Sequence, residues 1–111
     1  MYAITFDLDT KALEQYYPNP KSWRKSYDDI AGFLADYGFE RQQGSVYFGD
    51  ETVDAVICVT ATQDLSATFP WLENCVKDIR MLRIEERNDL MPAIKKNLRV
   101  KSQRKPLRFV V

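Results

Sequence analysis

Residues 52–62, TVDAVICVTAT, decide the fold. Their β-branched side chains favour a strand by propensity. Val53, Val56, Ile57 and Ala61 nevertheless recur at helical spacing along one stripe. Propensity is the weaker guide where packing decides, so residues 52–67 are read as a helix. Upstream, Phe39–Gln43 and Ser45–Phe48 read as two short strands around Gly44, with Val46 and Phe48 on one face and Ser45 and Tyr47 on the other. Before them, Trp23, Tyr27, Ile30, Leu34 and Tyr37 form a buried helical stripe, with Ser22 as the expected N-cap and Gly38 as the stop.

The ends complete the pattern. YAITFD, residues 2–7, is a strand with Tyr2, Ile4 and Phe6 on one face and Ala3, Thr5 and Asp7 on the other. Residues 8–21, punctuated by Pro18 and Pro20, read as a loop or broken helical turn. PWLENC is a turn into a last strand, residues 76–86, whose apolar side chains do not keep one phase: Ile79 and Met81 point one way, Val76, Leu82 and Ile84 the other. A strand of that kind is covered on both faces, here by helices on one side and by a loop, the tail or a second subunit on the other. Asp89 is placed to cap a short closing helix through Leu98, with Pro92 in its first turn. Strand, helix, strand, strand, helix, strand is the ferredoxin-like α+β layout, a four-stranded antiparallel sheet with helices on one face. Residues 1–98 form that domain and residues 99–111 a basic extension.

Composition narrows the chemistry. A chain of 111 residues, 45% hydrophobic, is one domain with a core of its own. No apolar run is long enough to span a bilayer, and MYAITFDLD lacks the features of a secretory leader. Cys58 and Cys75 have no metal-like spacing and read as core thiols of a reduced, cytoplasmic protein. Without histidine, histidine-based triads and most transition-metal sites are excluded. The net charge of zero conceals a basic end, with seven Lys and Arg and no acid from Lys95 onward. Such an end suits a polyanion or an acidic partner, and equally a solvated tail.

In a ferredoxin-like sheet the first and third strands are central neighbours. The alternation above then places Asp7, Ser45 and Tyr47 together on the helix-free face, where a two-fold dimer would bring two copies of Asp7 close. Paired carboxylates can hold Mg²⁺, and one alone can take the proton of an RNA 2′-hydroxyl. Ser45 can hydrogen-bond a phosphate oxygen, Arg41 can grip one bidentately, and Tyr47 can stack on a base. Each also has an ordinary role open to it: Asp7 at a strand end, Ser45 in a turn, Arg41 in solvent, Tyr47 in packing, and Asp78 paired with Lys77 or Arg80.

YAITFDLD, YDDI, GFERQQGSVYFG and VKDIRMLRIEE, in that order over about residues 1–95, resemble the virulence-associated protein D (VapD) family, itself similar to the second CRISPR-associated family. The most specific piece is GFxRxQGSVY. The resemblance implies a small dimeric endoribonuclease of the cytoplasm, acting on RNA, with a small antitoxin protein as a further partner. It implies catalytic roles for Asp7, Ser45 and Asp78, and substrate contacts for Arg41 and Tyr47. Lys77 stands where the family usually carries arginine, keeping the charge but losing the planar fork, and the tail extends past the common core. By analogy with the CRISPR relatives, LRFVV is expected to cross onto a partner's sheet. The reading is an endoribonuclease, toxin of a toxin–antitoxin pair, with Mg²⁺ bound at Asp7 as a candidate cofactor; its rival is a non-catalytic dimeric module binding nucleic acid or protein.

Overall fold

A computed structural model describes residues 1–95. Strands β1 (Tyr2–Leu8), β2 (Phe39–Gln43), β3 (Val46–Gly49) and β4 (Val76–Arg83) form one antiparallel sheet in the order β2-β3-β1-β4. The main helices are α2 (Lys25–Ala35) and α3 (Ala55–Thr68), with shorter α1 (Thr10–Tyr16), α4 (Leu72–Cys75) and α5 (Met91–Lys95). This is the expected ferredoxin-like arrangement. The segment 52–67 is helical as read, but its start is set by chemistry rather than by the apolar stripe. The Asp54 carboxylate caps α3 by accepting from the Ile57 N–H at 2.8 Å. The buried stripe is Cys58, Ala61 and Leu65, while Val56 faces solvent.

Local boundaries differ from the sequence reading for identifiable reasons. Residues 8–21 hold a real helix because the Asp9 carboxylate accepts from the N–H groups of both Lys11 and Ala12. Ser22 is not the cap of α2; it closes a 3₁₀ turn at Pro20–Ser22, and α2 begins at Lys25. PWLENC carries the single-turn α4. Asp89 does cap the closing helix, through the Met91 N–H at 2.9 Å. The part of that helix beyond residue 95, and the extension 99–111, lie outside the described residues.

The mixed phase of β4 is resolved by a bulge. Asp7 pairs with Asp78, but Leu8 pairs with Val76, so Lys77 is the extra residue. The skipped position turns Val76 inward beside buried Leu8, in phase with Ile79 and Met81, which oppose Phe6 and Ile4. Leu82 stays on the opposite face, across from Ala3. There the chain after β4 folds back, and the Arg87 guanidinium lies 5.0 Å from the centre of the Phe48 ring. A loop therefore covers part of the helix-free face.

The third correction concerns β3. Its register with β1 pairs Ile4 with Tyr47, Thr5 with Val46 and Ala3 with Phe48. Paired residues share a face, so Tyr47 is in the core and Val46 and Phe48 are outside it, the reverse of the sequence reading. Tyr47 has no exposed surface and stacks on Phe6, with centroids 5.6 Å apart. Hydrophobicity alone favoured Val46 and Phe48; the large Tyr47 ring fills more of the space beneath α2.

This core can be tested at Tyr47 and at Tyr17. The Tyr47 hydroxyl is buried without a partner among the described residues, so Tyr47→Phe should hold or slightly raise the melting temperature. Tyr47→Ala should cost about 3–5 kcal/mol in urea unfolding. At α2, burial and then the 2.6 Å hydrogen bond to Asp29 push the Tyr17 hydroxyl from 10.0 up to about 12. The protonated form is favoured by folding, so this contribution is complete below pH 10.0 and is lost as pH rises toward about 12. Urea midpoints should fall over that range, and fall less steeply in Tyr17→Phe.

Candidate active site

The two strand carboxylates meet. Asp7 of β1 and Asp78 of β4 are direct cross-strand partners, both exposed, on the face opposite α2 and α3. Opposed residues in an antiparallel pair stand with Cβ atoms about 4.5–5.5 Å apart, and like charges so placed are destabilising. Part of that cost is offset on one side only. The Arg80 Nε donates to both Asp78 oxygens, at 3.0 and 3.2 Å, and this contact raises the Arg80 pKa. Asp7 accepts no hydrogen bond and meets no cation within 4.0 Å among the described residues. The Lys77 bulge sits beside the pair. The end of β1 is anchored by the Asp9 N–H, which donates to the Cys75 carbonyl at 2.7 Å.

The hairpin brings two further candidates to the same end of the sheet. The Phe6 N–H donates to the Ser45 carbonyl at 3.2 Å, continuing the β1–β3 ladder one step past Val46. Gly44 has a φ of 46° and open space around it, a left-handed turn position that suits glycine. Ser45 is partly exposed. Arg41 opposes Tyr47, and its Nε donates to the Gly44 carbonyl at 3.0 Å while its guanidinium lies 3.6 Å from Asp28 of α2.

Asp7 and Asp78 thus form one cluster, and Arg41 and Ser45 another at the adjoining turn, with Arg41 tied to the helix side of the sheet and Ser45, set against Phe6, out of phase with Asp7 rather than on its face as the alternation suggested. Tyr47 belongs to neither. It is enclosed between Phe6 and α2, and base stacking is closed to it in this fold. Its OH pKa is raised, first by burial. The direct opposition of Asp7 and Asp78 and the Lys77 bulge escaped sequence reasoning, which had no strand register to work from. The Arg80 partnership was legible in the i, i+2 spacing along one strand face.

Among the described residues no group of three or more Asp, Glu, Cys or His gathers as a metal site. The Asp7–Asp78 pair still suits Mg²⁺, a hard cation that needs only one or two protein carboxylates and keeps several waters.

Residues 1–91, which include all four strands, match the family described as CRISPR associated protein Cas2. A Helicobacter pylori protein named Endoribonuclease VapD homolog is 57% identical over 95 residues, covering 86% of this chain and 97% of its own length. The Riemerella anatipestifer protein Endoribonuclease VapD 2 is 52% identical over 94 residues, 85% of this chain and 99% of its own. Endoribonuclease VapD of Haemophilus influenzae is 35% identical over 97 residues, covering 86% and 99%. Identity of this extent, on a sheet whose central strand ends in a carboxylate pair, shows that the chain belongs to the VapD endoribonucleases within the wider Cas2 family.

Proposed function

We propose that the protein cuts single-stranded RNA, including mRNA, at the Asp7–Asp78 pair. The observation that supports this reading best is the exposed, cross-strand opposition of the two carboxylates, one held by Arg80 and the other left open. Asp7 is the general base that takes the 2′-hydroxyl proton. The freed 2′-oxygen attacks phosphorus, the bond to the 5′-oxygen breaks, and the leaving oxygen takes up a proton. Asp78 is an auxiliary carboxylate whose orientation is set by Arg80. Ser45 and the free N–H groups of Arg41 hold phosphate oxygens of the flanking chain. When Mg²⁺ is bound by Asp7 and Asp78, it supplies charge neutralisation at the phosphodiester.

A homodimer fits the same reading. Leu82, Phe48 and Val46 stand on the same helix-free face as the carboxylates, and a two-fold contact over that face pairs the two sites. The role of toxin, restrained by a small antitoxin protein in the cytoplasm, rests on the sequence resemblance.

Asp7→Asn should lower cleavage of a labelled single-stranded RNA by about 10²-fold or more while melting no lower than wild type, because a like-charge repulsion is removed. Parallel reactions with Mg²⁺ and with EDTA separate metal-dependent from 2′-hydroxyl chemistry. Equal cleavage by wild type and Asp7→Asn would defeat the assignment, and RNA binding without turnover in the wild type would favour a binding module. Light scattering should give the mass of two chains for wild type; a monomer at micromolar concentration would remove the paired-site arrangement.

A further inference from the structure

We propose that the segment between α1 and α2 is the platform on which the RNA strand lies, with Arg24, stacked on Trp23, as its central contact. This inference rests on the endoribonuclease reading above and names where that enzyme holds its substrate. Residues 15–27, QYYPNPKSWRKSY, contain three cations and no acid. The rest of residues 1–94 carries six basic residues (nine less these three) against all sixteen acids. For a polyanion, an overall acidic domain is repulsive, and attachment must come from a local patch.

The cations of this segment differ from half of the others in residues 1–94. Arg41, Arg80 and Arg83 each meet a carboxylate. Lys21, Arg24 and Lys25 are exposed, and among the described residues none meets a carboxylate within 4.0 Å. Arg24 instead lies over the Trp23 ring, 4.5 Å from its centre. That contact sets the exposed Arg24 guanidinium against the indole face. A guanidinium plane backed by an aromatic ring is a surface on which unpaired bases stack while phosphates meet the edge. Tyr16, at the end of α1, adds a ring that is 47% exposed.

Position supports the assignment. α2 begins at the same end of the sheet as the carboxylates. Tyr27 in its first turn stacks on Phe6, one residue before Asp7, with centroids 6.5 Å apart, and Asp28 meets Arg41 of the hairpin. A strand lying over Trp23 and Arg24 reaches the Asp7 end of the sheet past Arg41 and Ser45. This gives those two residues, which the fold holds apart from the carboxylates, a place along one path.

The test is binding of a short fluorescein-labelled single-stranded RNA to Asp7→Asn protein, followed by anisotropy at several salt concentrations. Adding Arg24→Glu should weaken binding at least about tenfold and flatten the salt dependence, each lost phosphate contact in a single strand removing a slope of about 0.7. The Arg83→Glu control, an equal charge change on β4, should alter affinity less than about threefold. A carboxylate at the start of α2 is favoured by the helix dipole, so Arg24→Glu should melt as wild type. In otherwise wild-type protein Arg24→Glu should raise KM with little change in kcat. Equal effects of the two reversals, or unchanged binding by Arg24→Glu, would overturn the platform. If Asp7→Asn cleaves as wild type while Arg24→Glu still binds weakly, the carboxylate centre falls and the platform stands.

Discussion

The pairing of β1 on both of its edges governs everything else in this fold. Ile4 faces Tyr47 on one side and Met81 on the other. A slip of one residue on either side would invert every side chain of the slipped strand. Tyr47 would leave the core for solvent, or Asp78 would turn toward α3. Burial of Ile4, Phe6, Leu8 and Tyr47 beneath the helices therefore fixes where Asp7 and Asp78 point. The exposed face owes its charge pair to the buried face, since the two are alternate residues of the same strands.

The helical layer is pinned to this sheet by more than apolar contact. The Tyr17 hydroxyl reaches Asp29, and the Tyr37 hydroxyl reaches Asp64, joining α2 to the end of α1 and to α3. Phe33, Phe69 and Trp71 continue an aromatic chain toward Tyr17. At the other end of β3, Gly49 lies so close to Val53 that an added Cβ would come within 2.7 Å of its side chain. That approach sets the path from β3 into α3, and it is a constraint of space rather than of backbone angle.

Element order was readable from the sequence because periodicity is a local property. The α2 stripe, the hairpin and the helical reading of 52–67 all stand. Facing was less readable, because it depends on register between segments far apart in the chain. Val46 and Phe48 looked like core beside Tyr47 until β1 was set against them. The carboxylates were individually legible, as strand-end residues and through the family resemblance. Their direct opposition was not, since it depends on the two strands being adjacent and on where Lys77 drops out of the ladder. Arg24 and Trp23 were visible as residues, but their stacking appears only once the 3₁₀ turn, rather than Ser22 as a cap, leads into α2.

The Lys77 bulge also has an evolutionary reading. Because one residue of β4 lies outside the ladder, the strand is written in two phases that join at that point. Loss of one residue at position 77 would be absorbed there, unlike a loss elsewhere in the strand, because Lys77 pairs with nothing on β1. Losing that residue would make the ladder continuous and leave Val76 opposite Leu8, still facing the interior. A relative with a regular strand here would align correctly with a one-residue gap at position 77, and without that gap the residues before it would be placed one position out.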